Sequence, residues 1–217
     1  MTLPKDKTKE KLIEITLELM DSGGLDSVQA RQLAKRADVS VGTVYNLFGN
    51  VDCLILAACS RIFDDLGQVA DEANQRIGAE RAAMSAEGGT SPAKQVKHSL
   101  MGLADAYVAF VAEHEKRWTA LLAFNRSHAS VLNEAYLKRL DGLIAVIGNA
   151  FSPNTFGGDQ TRRMLAGRAL WSSVHGIVTI HIDPEARART LGIPIRLHTL
   201  HVSVEEPGLL TVFLKES

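Results

Sequence analysis

Residues 30–48 constrain this chain most, because they have the pattern of two short helices joined by a tight turn. In the second of these helices, Val44, Leu47 and Phe48 recur at i, i+3 and i+4, which predicts one buried face. The opposite face carries side chains that are small or polar, namely Val41, Gly42, Thr43 and Asn46. A helix with such an outer surface fits the major groove of DNA, where bulky side chains would clash with base edges.

The junction between the two helices has signals of its own. Ala34 is small enough to let the second helix approach closely. Asp38 stands where the turn needs a left-handed backbone, which Asp tolerates better than most residues. Ser40 is placed to cap the second helix by accepting a hydrogen bond from a free backbone N–H. These signals predict a helix-turn-helix; the alternative is an ordinary pair of packed helices.

At these residues the chain resembles a known family. The segment from Val39 to Tyr45, followed by Phe48 and Leu54, is similar to the N-terminal DNA-binding domain of the TetR family of bacterial transcriptional regulators. The resemblance runs from about Lys5 to Leu56. It implies a preceding helix, a helical ligand-binding domain, and a homodimer that represses transcription until an effector binds. The expected fold class is all-α: a three-helix DNA-binding head with a helix-turn-helix, then a helical bundle for ligand binding and dimerisation.

The helix signals along the chain suggest three parts. We expect a DNA-binding head over residues 1–50, a helical effector-binding and dimerisation domain over 51–183, and an irregular C-terminal tail over 184–217. Predicted helices cover residues 5–21, 28–37, 41–48, 51–77, 92–113, 117–124, 131–151 and 159–183. Residues 78–90 lose the apolar periodicity, which predicts a frayed helix end and a loop. Alternating apolar residues in the tail favour a short strand pair or a poorly ordered segment.

Composition narrows the class of partner without naming one. The net charge is −1, so any affinity for DNA must come from the placement of charge rather than from its sum. Lysines are concentrated in the first eleven residues, where they either meet phosphates or are simply solvated.

Cys53 and Cys59 have no zinc spacing and are too few for a disulfide framework, so no metal or cofactor is expected. No secretory leader and no long apolar run is visible, so we expect a cytoplasmic protein outside the membrane.

The family pattern, carried over position by position, implies a set of DNA contacts. The candidate DNA-binding residues are Gln29, Arg31, Ser40, Val41, Gly42, Thr43, Tyr45 and Asn46. Tyr45 either donates its hydroxyl to a phosphate oxygen or packs its ring at the rim of the helix pair. Asn46 either reads adenine through its amide or faces solvent.

Three departures from the family pattern bear on affinity. Relatives commonly carry a lysine where Val51 stands, Ser or Thr at Gln29, and a second aromatic at Asn46. Loss of the lysine removes a phosphate contact, so we expect weak DNA affinity with a shallow salt dependence. Backbone N–H groups at Val51 and Asp52 can still hold a phosphate at a helix N-terminus, although the Asp52 charge opposes it.

Aromatic and polar residues in the second part predict a small-molecule pocket. The candidate ligand-binding residues are His98, Met101, Tyr107, Trp118, Phe124, Trp171 and His175. Taken singly, each is better explained as a core residue. The segment Leu170–Gly176 resembles a Trp…His-Gly signature of some C-terminal domains in the family, in which His175 is expected to be a hydrogen-bonded structural residue. Helices 131–151 and 159–183 are expected to form a four-helix dimer bundle with their counterparts.

These expectations favour a ligand-responsive transcriptional regulator and not an enzyme. Its expected partners are double-stranded operator DNA of palindromic sequence, a small and largely apolar effector that releases it, and a second copy of the chain. One alternative is a degenerate family member that binds a ligand or partner without DNA. Another is an α-helical enzyme that uses His175 or His128 as a base, although no nucleophile, carboxylate pair or metal spacing accompanies them.

Overall fold

Helices account for almost all of the regular structure. The computed structural model describes residues 5–86 and 91–182, and the backbone of residues 200–205 and 209–214. The α-helices among these residues are α1 (Lys5–Gly23), α2 (Ala30–Ala37), α3 (Val41–Phe48), α4 (Val51–Ala86), α5 (Pro92–Glu113), α6 (Glu115–Ser127), α7 (Glu134–Ala150) and α8 (Gln160–Ile182). Short 3-10 turns occupy Leu25–Ser27, Ala129–Val131 and Thr155–Gly158. The all-α fold class expected from the sequence is confirmed.

Most of the predicted helices are confirmed, with two corrections. The prediction of a frayed end and loop at residues 78–90 is wrong for 78–86, where α4 continues as a helix to Ala86. The predicted start of α7 at residue 131 is also wrong: Ala129–Val131 form a 3-10 turn and α7 begins at Glu134. Asn133 caps α7, because its side-chain oxygen accepts from the Tyr136 N–H at 2.9 Å. Residues 87–90 lie outside the described residues.

The extension of α4 has a tertiary cause that periodicity does not reveal. Residues 78–86 contain neither proline nor a β-branched residue, and after Gly78 most of them are good helix formers. The guanidinium of Arg81 donates to Gln95 Oε1 at 3.2 Å and to Ser99 Oγ at 3.4 Å. His98 Nε2 lies 2.7 Å from Glu80 Oε2. These polar contacts with α5 hold the last turns of α4 where an apolar stripe does not.

The tail contains one hairpin. Strands β1 (Leu200–Glu205) and β2 (Leu209–Leu214) pair antiparallel, with Leu200 opposite Leu214 and Glu205 opposite Leu209. The short strand pair expected from the alternating pattern is therefore present. The rest of the tail, residues 183–199, 206–208 and 215–217, lies outside the described residues.

The chain divides into two compact units. The first unit contains residues 1–65 and 113–139, and the second contains residues 66–112 and 140–217. Helix α4 contributes residues to both units, and α6 belongs to the first. The head at residues 1–50 is thus one part of a larger compact unit.

Helix α6 joins the first unit by packing its apolar face on α1. Trp118, Leu121 and Phe124 are at most 1% exposed. Beside them the Arg117 guanidinium binds the Asp21 carboxylate through two nitrogens, with Nε to Oδ1 at 3.0 Å. The Arg117 side chain is only 14% exposed, so this bidentate pair is better shielded from water than the other ion pairs of the described residues.

In the second unit, α7 and α8 touch through their backbones. A Cβ atom at Gly167 would lie 2.7 Å from the Gly148 nitrogen and 2.8 Å from the Gly148 Cα. Glycine at this crossing therefore sets how closely the two helices approach. Ala73 and Ile77 of α4 and Leu103 of α5 form a buried cluster in the same unit.

Among the described residues no single helix is long and apolar enough to cross a membrane. Helices α3 and α4, bent by 65° at their junction, would meet the length and composition criterion only as a pair.

We expect Gly167→Ala to lower the free energy of unfolding by about 1–3 kcal/mol, because the added methyl forces α7 and α8 apart. The matched control is Gly78→Ala on the exposed side of α4, where a Cβ atom meets nothing within 4 Å. That change should stabilise the helix by about 0.5–1 kcal/mol. Urea unfolding followed by circular dichroism measures both; equal effects would contradict the proposed crowding.

We expect Arg117→Ala to cost about 1.5–3 kcal/mol, since it leaves the Asp21 carboxylate without its partner. Arg36→Ala is the control: it removes an ion pair with Glu18 whose side chains are 42% and 58% exposed. Exposed pairs contribute less than about 1 kcal/mol. If both variants lose the same stability, the docking of α6 does not depend on Arg117.

Candidate DNA-binding surface and candidate ligand crevice

The turn between α2 and α3 forms as its residues predict. Asp38 has φ 59° and ψ 48°, in the left-handed region. The following N–H, that of Val39, donates to the Ala34 carbonyl at 3.0 Å. Ser40 caps α3, because its Oγ accepts from the Thr43 N–H at 3.0 Å. These local bonds fix the angle at which α3 leaves the turn.

Helix α3 turns its apolar residues inward and its small face outward. Val44 is 0% exposed, and Leu47 and Phe48 are half-buried. On the other side Val41 is 36% exposed and Tyr45 is 45% exposed. Gly42 and Asn46 are also exposed, and Thr43 is half-buried. The small and polar face of α3 is therefore largely accessible, and its contact with the major groove stays a prediction.

Gly42 is not required by packing within the protein. A Cβ atom there would have one neighbour within 4 Å, Ser40 Oγ at 3.6 Å, which is an ordinary contact. The absence of a side chain thus leaves room outside the helix rather than inside it. This is the property that close approach of a backbone to DNA needs.

Two cations of the head are engaged within the protein. The Lys11 ammonium donates to the Ala37 carbonyl at 2.9 Å, and Arg36 is paired with Glu18. Gln29 and Arg31, at the start of α2, are exposed, and Gln29 uses no side-chain bond to cap the helix. Arg31 forms no ion pair with any described residue, so its guanidinium is accessible to solvent.

The start of α4 carries an acidic group rather than a basic one. Asn50 caps this helix, its Oδ1 accepting from the Cys53 N–H at 2.7 Å. The Asp52 carboxylate lies 3.8 Å from His128 Nε2, and the His128 ring stacks on Phe124 with centroids 4.7 Å apart. Sequence reasoning missed the His128–Asp52 contact, since the two residues are distant in the chain and no motif links them.

A narrow crevice lies between α5, α7 and α8 in the second unit. Its volume is about 20 Å³. The residues that line it are Leu100, Leu103, Ala104, Tyr107, Ile147, Leu170, Trp171 and Val174. Most are aliphatic residues that sequence reasoning did not single out, because an aliphatic core position gives no signal of its own.

One polar pair lies beside the crevice, formed by residues that the sequence did indicate. The Tyr107 hydroxyl and His175 Nδ1 are 2.8 Å apart. The Trp171 ring lies against both, with centroids 4.8 Å from Tyr107 and 5.3 Å from His175. Burial lowers the pKa of His175 below its usual value, so its imidazole is neutral near pH 7.

The other predicted ligand-binding residues are elsewhere. His98 contacts Glu80, and Met101 is half-buried but does not line the crevice. Trp118 and Phe124 belong to the first unit, where they are buried with α6. Their roles as ligand contacts remain predictions without support from this geometry.

Two other buried ionisable groups, Cys59 and Tyr136, are held in their neutral forms. Burial raises the pKa of the Cys59 thiol to about 12, so a thiolate does not form near pH 7. Burial also raises the pKa of Tyr136, whose hydroxyl donates to Asn125 Oδ1 at 2.7 Å. The described residues contain no cluster of three or more His, Cys, Asp or Glu side chains that could hold a metal ion.

Comparison with known proteins identifies the class. A family model described as bacterial regulatory proteins, tetR family, matches residues 12–58. A second, described as tetracyclin repressor-like, C-terminal domain, matches residues 100–190. Together they cover more than half of the chain, which belongs to the TetR family of regulatory proteins.

Individual relatives agree with this assignment. The transcriptional repressor KstR of Mycolicibacterium smegmatis is 35% identical over 65 residues, 30% of this chain and 32% of that protein. An uncharacterized HTH-type regulator of Mycobacterium tuberculosis is 24% identical over 82% of this chain and 72% of its own length. A tetR-family regulator from Streptomyces coelicolor shares the fold, with a TM-score of 0.58 and 21% identity over 88% of this chain and 78% of that one. The match to KstR spans less than a third of the length of that repressor.

We expect Val51→Lys to strengthen DNA binding and to steepen its salt dependence. Each added phosphate contact increases the slope of log K against log salt by about 0.9. The matched control is Thr119→Lys, which adds the same charge at an exposed position of α6. Fluorescence anisotropy at several salt concentrations measures both slopes. A slope that is unchanged by Val51→Lys would show that the start of α4 does not reach the DNA backbone.

Proposed function

We propose that this protein is a DNA-binding transcriptional repressor that leaves its operator when a small, largely apolar effector binds. The observation that carries the proposal is the exposed face of α3, where Gly42 leaves the helix backbone open and Val44 anchors the helix from the other side. Membership of a family of bacterial regulators supports it. The candidate contacts are Gln29, Arg31 and the α3 residues named above.

The proposal includes a homodimer formed through helices 131–151 and 159–183. Helix α8 exposes Leu165, at 59%, together with the small residues Ala169, Ser172 and Ser173. Small side chains beside an exposed leucine favour close packing against a second helix. A two-fold dimer would present two copies of α3 to neighbouring turns of DNA, which requires a palindromic operator.

We further propose that residues 1–50 read DNA and that residues 51–183 bind the effector and the second subunit. The protein acts in the cytoplasm, where its operator is. An effector that favours one state of the dimer shifts the population away from DNA.

The second candidate function is a family member that has lost DNA binding. The acidic Asp52 and the absence of a lysine at Val51 favour it, since both weaken phosphate contacts.

We expect Gly42→Glu to abolish binding to DNA from upstream of the protein's own coding region. The carboxylate adds bulk and negative charge where the helix meets the groove. Gly78→Glu is the matched control, because Gly78 is also helical and exposed and has open space around it. Electrophoretic mobility shifts measure binding, and thermal melting shows that both variants are folded.

We expect Tyr45→Ala also to abolish binding. We expect Tyr45→Phe to weaken binding by about tenfold or more, because a hydrogen bond to a charged phosphate contributes about 1.5–3 kcal/mol. Equal binding by Tyr45→Phe and the wild type would assign the ring to packing alone. If Gly42→Glu and Tyr45→Ala both bind normally, α3 is not the DNA-reading helix. If the wild type binds no DNA at any salt concentration, the second candidate function is the correct one.

A further inference from the structure

The end of α6 and the beginning of α4 bring a histidine beside a carboxylate. His128 follows the last residue of α6, and its N–H donates to the Phe124 carbonyl at 2.9 Å. Asp52 is the second residue of α4. The His128 Nε2 and the Asp52 Oδ1 are 3.8 Å apart, and the two side chains are 34% and 43% exposed. A cation is stabilised at the C-terminus of a helix and an anion at the N-terminus, so both helix ends suit an ion pair.

Ser127 determines which ring nitrogen of His128 carries the proton. The Ser127 Oγ lies 2.8 Å from the Ala123 carbonyl oxygen, which can only accept, so the single hydroxyl proton is used there. The same Oγ is 2.8 Å from His128 Nδ1, and it therefore accepts the proton that Nδ1 donates. The neutral ring then presents the lone pair of Nε2 to the Asp52 carboxylate. Two acceptors face each other unless Nε2 takes up a second proton.

The net charge of this contact depends on that one proton. Among the described residues, Asp52 is the charged group that lies within ion-pair distance of the His128 ring. Arg126, the nearest charged residue of α6 along the chain, is exposed and forms no ion pair with any described residue. The 3-10 turn Ala129–Val131 that follows carries no charged side chain. The Phe124 ring stacks on the imidazole, with centroids 4.7 Å apart, and fixes the plane of the imidazole.

The contact lies next to the candidate DNA-binding surface. Only Gly49 and Asn50 separate α3 from α4, so Asp52 is kept close to the end of α3. A carboxylate in this place repels a DNA phosphate, and the residue beside it is Val51 rather than a cation. An imidazolium at His128 offsets the repulsion. Two unit charges about 4 Å apart in water change an equilibrium constant about fivefold.

We propose that His128 is a positioning residue for DNA binding: when protonated, it pairs with Asp52 and removes the repulsion between this carboxylate and a phosphate. Binding of DNA is then coupled to the uptake of a proton from solvent. The affinity for DNA therefore rises as the pH falls through the range in which histidines titrate. This inference rests on the proposed function, because it concerns how the beginning of α4 meets DNA. The tautomer of His128 is tested without DNA.

Nitrogen NMR of the full-length protein tests the geometry of the pair. At pH 8 we expect the ring nitrogen shifts of His128 to show a proton on Nδ1 and none on Nε2. In Ser127→Ala the acceptor for the Nδ1 proton is lost, so this preference should be lost as well. A proton on Nε2 in the wild type at pH 8 would overturn the proposal, because the ring could then bond to Asp52 without a second proton.

The pH dependence of DNA binding tests the role of the pair. Fluorescence anisotropy measures the affinity for DNA from upstream of the coding region at pH 6 and at pH 8, at one ionic strength. Between pH 8 and pH 6 we expect the wild type to gain about fivefold more affinity per subunit than His128→Gln, since glutamine bonds to Asp52 without charge. At pH 8, Asp52→Asn should bind about fivefold more tightly than the wild type, because the uncompensated carboxylate is gone.

His98→Gln is the matched control and should keep the full gain of the wild type. His98 contacts Glu80 in the second unit, outside the lining of the crevice, and these side chains are 37% and 46% exposed. Equal gains in the wild type and His128→Gln, or unchanged affinity in Asp52→Asn, would overturn the proposal and leave the proposed function intact. If the wild type binds no DNA at either pH, the proposed function fails and the role of His128 in binding fails with it, whatever tautomer the NMR shows.

Discussion

The burial of Val44 anchors α3, and the candidate DNA-binding surface depends on this interaction. Val44 is fully buried, so the opposite side of this eight-residue helix must face outward. The left-handed turn at Asp38 and the cap at Ser40 set where the helix begins and at what angle. An outward surface made of Gly42, Tyr45 and Asn46 follows from these three constraints. Every proposal about DNA relies on that surface.

The first unit shows how a short helical head gains stability. Three short helices bury little apolar surface by themselves, and small domains are marginal for that reason. Helix α6 adds the buried rings of Trp118 and Phe124, and the shielded pair of Arg117 and Asp21 fixes its position. The compact unit that carries the helix-turn-helix therefore includes residues from the middle of the chain.

The second unit combines close packing of helices with one buried polar pair beside an apolar crevice. Contact between Gly148 and Gly167 brings α7 and α8 backbone to backbone. Beside them the hydrogen bond between Tyr107 and His175 satisfies two polar groups that burial would otherwise penalise. The sequence-based view of His175 as a hydrogen-bonded structural residue agrees with this geometry.

Local signals in the sequence determined most of the helices and their caps. Tertiary contacts decided which other helices pack against them. The limits of α3, the left-handed Asp38 and the Ser40 cap follow from residues within four positions of each other, so they were predictable. The continuation of α4 to Ala86, the membership of α6 in the first unit and the lining of the crevice depend on residues far apart in the chain. Periodicity records which face of a helix is apolar but not which helix covers it. Trp118 and Trp171 are both apolar aromatics in the sequence, and only their packing partners assign one to a core and the other to a crevice.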